Sequence, residues 1–211
     1  MLTTIMFDVD GTLIDTEEIT IASAQRTLRE LVGVNVAAED LEYVLGIPGT
    51  ESMKRYATSE VSVEAIHAQW CFYESQLTDQ AVLFSGVPEL LAGLKAGGMK
   101  LGIVTSRVRE EMDRDIDRLS LSPFFDTVIT ASDTERHKPW PDPLQEGLRR
   151  LGVGPDEAIY VGDSVYDMEC AYAATVPFAL ATWGAKRIER FDRAAVMLQR
   201  PADVMGCVES L

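Results

Sequence analysis

The sequence predicts a doubly wound parallel α/β sheet interrupted by one helical insertion. Five short apolar runs rich in Ile, Val, Leu or Ala occur at 4–7, 100–105, 126–130, 158–161 and 176–181. The later runs alternate with stretches of helical periodicity, whereas the chain between the first two carries helical patterns only. Short continuous apolar runs suit strands buried on both faces, and their alternation with helices is the mark of parallel crossover units.

The first run, Thr4 to Phe7, stops at Asp8. Ile21, Ala24, Leu28, Leu31 and Val32 then form a stripe at helical spacing, which Asp15 and Glu18 are expected to open as a capping box. Ile66, Trp70, Tyr73 and Leu77 form a second stripe, and Trp70, Phe72 and Tyr73 are expected to serve packing there. The spacing thus predicts a catalytic core over 1–15 and 82–211, with a helical unit over 16–81 inserted after the first strand. Four further helices are predicted at about 87–96, 110–119, 143–151 and 164–174, and Gly97-Gly98 and Gly152 stand where helix C-caps belong.

The 211 residues suffice for one full domain with a small insertion. A net charge of −15 argues against a nucleic-acid binder, because neutralising phosphates takes a basic face. The inserted segment is itself acidic, with twelve acids and four bases (Arg26, Arg29, Lys54, Arg55) between Asp15 and Asp79. No stretch approaches the roughly 20 apolar residues of a membrane helix, so no membrane association is expected. The N-terminus lacks the basic region of a signal peptide, and three scattered cysteines (Cys71, Cys170, Cys207) offer no disulfide framework, so a cytoplasmic location is expected.

Four segments carry candidate chemistry, each at or near the carboxyl end of a predicted strand, where open α/β sheets place ligands. Phe7-Asp8-Val9-Asp10-Gly11-Thr12-Leu13 sets two carboxylates two residues apart; alone it also reads as a loop of solvated acids. Gly102-Ile103-Val104-Thr105-Ser106-Arg107 ends a strand in hydroxyls and a guanidinium, suited to phosphate oxygens or to plain turn chemistry. His137-Lys138-Pro139-Trp140-Pro141-Asp142-Pro143 fixes a lysine on a stiff loop, as a point charge for phosphate or as a surface residue. Val161-Gly162-Asp163-Ser164-Val165-Tyr166-Asp167 puts two acids on one face of a helix start, which a simple N-cap would also explain.

These four segments, in this order, resemble the haloacid dehalogenase superfamily of phosphatases over essentially the whole chain. Within it the chain looks most like the phosphoglycolate phosphatase group, through Lys138-Pro-x-Pro-x-Pro and the late Thr182-Trp183-Gly184. The resemblance implies a Rossmann-like core with an α-helical cap. It implies Asp8 as nucleophile, Asp10 as acid/base, and Thr105, Ser106 and Lys138 on the phosphoryl oxygens, with Arg107 as an additional phosphate contact. It implies Mg²⁺ held by the Asp8 and Asp163 carboxylates and the Asp10 main-chain carbonyl, with Asp167 behind them or paired with Lys138. Physics agrees with the cation: two carboxylates 4 Å apart repel by ~4 kcal/mol at an effective dielectric of about 20, and oxygen-only ligands suit Mg²⁺.

The implied activity is Mg²⁺-dependent hydrolysis of a small-molecule phosphate ester through an aspartyl-phosphate. A sugar-phosphate mutase, a pyrophosphatase and a non-catalytic phosphate-ester binder are the alternatives, and both a monomer and a homodimer fit the sequence. The chain departs from the family at Ala173-Ala174-Thr175, where relatives often carry glycine, and with the bulky Trp140 and Tyr166 beside two motifs. In the insertion, Leu45-Gly46-Ile47-Pro48-Gly49, with Lys54 and Arg55 nearby, reads either as a loop carrying specificity contacts or as a helix-to-helix turn beside a solvated helix face.

Overall fold

The computed structural model describes residues 1–45, 49–186 and 188–210. The chain begins with β1 (Thr4–Phe7) and β2 (Ile14–Asp15), followed by α1 (Glu17–Thr27), α2 (Gly49–Met53) and α3 (Val63–Leu77). Next come β3 (Val82–Leu83), α4 (Val87–Ala96), β4 (Lys100–Val104), α5 (Arg109–Arg118), β5 (Thr127–Ile129) and α6 (Asp142–Leu151). The chain closes with β6 (Ala158–Gly162), α7 (Val165–Ala173), β7 (Phe178–Ala181), β8 (Val196–Leu198) and α8 (Val204–Ser210).

Six strands form one parallel sheet in the order β5-β4-β1-β6-β7-β8, in the described residues. In the centre, Phe7 of β1 is in register with Ile103 of β4 on one side and Val161 of β6 on the other. The chain moves outward from β1 through β4 to β5, then crosses back to lay β6, β7 and β8 on the opposite side. The strand order therefore reverses between β1 and β6, the switch point where such sheets bind ligands. Side chains alternate across the sheet: Met6, Val104 and Tyr160 pack with Leu144 and Leu148 of α6 and Met168 and Cys170 of α7. Ile5, Phe7, Leu101, Ile103, Ile159 and Val161 alternate with them and are also buried, as strands covered on both faces require.

Contacts divide the chain into one compact unit of Met1–Ile14 with Leu83–Leu211 and a second of Asp15–Val82. The second unit is helical with its own core, in which Ile21, Ala24 and Leu28 of α1 meet Ile66 and Trp70 of α3, and Trp70 Nε1 donates to Thr20 O at 3.1 Å. Tyr73 is buried with Trp70, but Phe72 is 52% exposed and does not join the packing expected of it. Leu31 lies at the surface, because α1 continues into a π-helical turn at Leu28–Val32 that rotates the stripe.

Several local readings change. The expected capping box at α1 is replaced by Asp15 Oδ1 accepting from the Glu17 N–H at 3.3 Å, with Thr16 at the N-cap. β8 was not expected; Val196-Met197-Leu198 is too short and too close to polar residues to give a periodic signal. The fifth apolar run starts pairing only at Phe178, because Thr175 takes a left-handed φ of 59° and turns the chain out of α7. Gly152 does end α6 in the left-handed conformation, at φ 65°. The expected specificity loop falls mostly at 46–48, outside the described residues.

Candidate active site

The carboxyl ends of β1, β4 and β6 and the loop after β5 supply the site. Asp8 follows β1 directly, and its N–H donates to Val161 O of β6 at 2.9 Å, so the sheet itself fixes the backbone of this residue. Thr105 follows β4 in the same way, with its N–H on Ile129 O at 3.0 Å. Asp163 follows β6 and Asp167 lies in the first turn of α7. Lys138, preceding a cis peptide bond to Pro139, reaches back from the loop before α6.

Lys138 is the electrostatic centre. Its Nζ lies 2.8 Å from Asp8 Oδ1 and 2.7 Å from Asp167 Oδ1, with its side chain only 5% exposed. Burial works against the charged ammonium, but Asp167 and Asp8 outweigh it and hold the lysine well above its ordinary pKa. Oxygens of Asp8, Asp163 and Asp167 lie within 4.8 Å of one another. One lysine cannot neutralise three carboxylates. Burial first, then the charge of Asp167, push Asp8 up to about 7, and burial with Asp8 and Asp167 raises Asp163 as well.

A cluster of oxygen donors carrying excess negative charge is the environment a hard divalent cation fits. The donors are unequal, however. Asp167 Oδ1 accepts from Lys138 and from Tyr160 Oη (2.8 Å), and Oδ2 accepts from Ser164 N (3.0 Å) and Oγ (2.6 Å). With four donors around it, Asp167 is committed to holding Lys138 and the start of α7. Asp8 and Asp163 are the carboxylates better placed to face an ion.

The turn after Asp8 is shaped by contact with this cluster. Gly11 has φ 76°, and a Cβ there would fall 2.2 Å from Asp163 Oδ2, so both backbone conformation and space demand glycine. Thr12 Oγ1 donates to Asp163 Oδ1 at 3.0 Å. The segment after β7 supports the turn from beneath: Trp183 Nε1 donates to Thr12 O at 2.9 Å, and a Cβ on Gly184 would lie 1.8 Å from Gly11 O.

The side chain of Asp10 is not part of the three-carboxylate cluster. Arg107 Nε donates to Asp10 Oδ2 at 2.8 Å and Nη2 to Oδ1 at 2.5 Å, while Nη1 donates to Asp115 Oδ2. Arg107, read from sequence as a phosphate contact, is thus taken up by carboxylates. Thr105 is buried and its Oγ1 accepts from Arg107 N at 3.2 Å; Ser106 is exposed. Sequence reasoning gave no role to Thr12, Tyr160, Ser164 or Asp115. Ser164 and Asp167 could have been read as a reciprocal cap three residues apart, but Tyr160 and Asp115 look like ordinary strand and helix positions until the loops assemble.

Residues 5–181 match the family described as haloacid dehalogenase-like hydrolase. The chain belongs to that family. Pyrophosphatase PpaX of Bacillus velezensis is 33% identical over 207 residues, covering 97% of this chain and 95% of that protein. PpaX of Bacillus pumilus is 31% identical over 209 residues, covering 98% and 96%. A Lactobacillus plantarum protein provisionally called a phosphoglycolate phosphatase superposes with a TM-score of 0.88 at 28% identity, covering 98% of this chain and 99% of its own. A Geobacter sulfurreducens hydrolase of the same superfamily, subfamily IA, gives a TM-score of 0.75 at 29% identity, covering 98% and 96%. The parallel sheet flanked by helices is accordingly that of a haloacid dehalogenase-like hydrolase. Among the described residues, no helix is long and apolar enough to cross a membrane.

Proposed function

We propose that this hydrolase is a Mg²⁺-dependent phosphatase that passes the phosphoryl group of a small phosphate ester to Asp8 and then to water. The observation that carries the reading is the buried Asp8–Lys138–Asp167 ion triad lying beside Asp163 at the switch point of the sheet. Lys138 holds Asp8 Oδ1 and fixes the plane of the carboxylate, which attacks phosphorus as the bond to the leaving oxygen breaks. Asp10 gives its proton to that oxygen, then takes one from the water that attacks the aspartyl-phosphate, which restores Asp8. Thr105, Ser106 and Lys138 hold the phosphoryl oxygens. Arg107 is left out of that set, since its N–H groups already meet Asp10 and Asp115.

The Asp8 and Asp163 carboxylates and the Asp10 main-chain carbonyl would hold Mg²⁺. When bound, the ion offsets the charge of the carboxylates and of the transferring phosphoryl group. The helical unit Asp15–Val82 is assigned the family's role of cap, selecting the substrate. Three cysteines without disulfides support a reducing, cytoplasmic setting.

A second reading, hydrolysis of inorganic pyrophosphate by the same residues, is favoured by the name of the relatives that match over nearly their whole length. Phosphate release from 2-phosphoglycolate, sugar phosphates, nucleotides and pyrophosphate, each with Mg²⁺ or EDTA, tests both. Release that needs Mg²⁺ and vanishes in Asp8→Asn is expected, and the preferred member of the panel separates ester from anhydride. Undiminished release by Asp8→Asn would overturn the mechanism. No release by folded wild type would transfer the weight to a mutase or to a binding protein, and trapping of an aspartyl-phosphate would then separate those two.

A further inference from the structure

Asp115 has no place in the mechanism above, yet it is fully buried on α5, a helix whose other buried residue is Met112. A buried carboxylate must be paired. Local pairing is already available: Arg118, three residues on, donates to Asp115 Oδ1 from Nε at 3.1 Å and from Nη2 at 2.8 Å. The second oxygen, Oδ2, takes Nη1 of Arg107. The other two nitrogens of that guanidinium grip both oxygens of Asp10, which is 97 residues away in sequence. Arg107 is itself nearly buried, its side chain 14% exposed.

We propose that Asp115 is a positioning residue for catalysis, acting through Arg107 to set the orientation of the Asp10 carboxylate. A guanidinium is a rigid planar fork, so anchoring one edge to Asp115 fixes the direction of the edge that meets Asp10. Arg118 completes the chain by neutralising the charge that Asp115 brings into the interior. The orientation of the proton-transfer group is therefore set from α5, an element that supplies neither a phosphoryl-holding residue nor a carboxylate of the cluster. The inference rests on the assignment of Asp10 as the group that protonates the leaving oxygen.

The test compares kcat/KM on two substrates that differ in how much they need that proton. An alkyl phosphate active in the panel has a poor leaving group, whereas 4-nitrophenyl phosphate leaves as a stabilised phenolate. kcat/KM reports the steps through departure of the leaving group. Asp10→Asn should lower the alkyl value far more than the aryl value; if it lowers both equally, the underlying reading of Asp10 fails. Given that split in Asp10→Asn, Asp115→Asn is expected to lower the alkyl value about tenfold or more, part of the ~10²–10⁴ a general acid contributes, and the aryl value less than about threefold. Arg107→Gln should reproduce the split, and adding Asp115→Asn to it should change nothing further.

Arg118→Gln removes the other partner of Asp115 and should lower the melting temperature without a split. If Asp115→Asn does not fold, Arg107→Lys keeps the charge but not the fork and must show the split. Equal losses on both substrates in a folded Asp115→Asn, or losses that add to those of Arg107→Gln, would overturn the proposal.

Discussion

Replacing Lys138 by Met removes the ammonium that faces both Asp8 and Asp167. At separations of 2.8 and 2.7 Å and an effective dielectric of about 20, each pair is worth about 6 kcal/mol of Coulomb attraction before desolvation. Burial of the three groups cancels much of this, and removing one partner of such a pair costs about 3–5 kcal/mol, because a carboxylate is left buried without compensation. That is a large share of the ~5–15 kcal/mol by which whole domains are stable. For a domain of this size each kcal/mol moves the melting temperature by about 2–4 °C, so Lys138→Met should melt about 6–20 °C below wild type, measured in EDTA by circular dichroism. The double variant Lys138→Met/Asp167→Asn should regain part of the loss, since it removes one of the two uncompensated charges. A single variant that melts within about 1 °C of wild type, or a double variant that is worse still, would refute the view that Lys138 balances the acidic cluster.

Asp163→Ala is expected to raise the Mg²⁺ concentration needed for half-maximal phosphate release by at least about tenfold; an unchanged titration would place the ion elsewhere. The folded pKa of Asp8, about 7, lies above its ordinary 3.8, so without metal the stability this group supplies is complete below 3.8 and lost as pH rises through about 7. Mg²⁺ binds the ionised form, so its melting-temperature increment should grow between pH 5.5 and 8, and an increment independent of pH would count against the cluster as its site. Gly184→Ala drives a methyl group against the Gly11 carbonyl, where it would lie 1.8 Å away. Displacement of the Asp10–Thr12 turn on the order of 1 Å should lower kcat up to about a hundredfold, and wild-type kcat would show that the two backbones can part without consequence. Thr175→Gly relieves a β-branched residue at φ 59° and should stabilise by about 1 kcal/mol, a rise of about 2–4 °C in melting temperature; a fall would mean the Thr175 side chain matters more than its backbone.

Much of the architecture is written locally in the chain. Strands such as Thr4–Phe7 and Ala158–Gly162 are continuous apolar runs because both of their faces are covered, and that pattern shows at the level of a few residues. The positions of Asp8, Thr105 and Asp163 beside strand ends could be read for the same reason, and the order of the motifs was enough to suggest the family. Val196–Leu198 is not legible in the sequence, because a strand of three residues has no period to detect.

Partnership at the site is a different matter. Ser164 and Asp167 are three residues apart and legible as a pair, but Arg107 and Asp10 meet across 97 residues. A guanidinium after a strand is as suitable for phosphate as for carboxylate; only the packing of α5 brings Asp115 to its other edge. Likewise Tyr160 reads as one more buried strand residue, until the start of α7 places Asp167 2.8 Å from its hydroxyl. Sequence determines which faces are buried and where ligand-binding ends of strands fall, since hydrophobic burial depends on each residue's own surface. The pairing of charges depends on distance and direction between groups far apart in the chain, and those exist only once the sheet has brought the loops together.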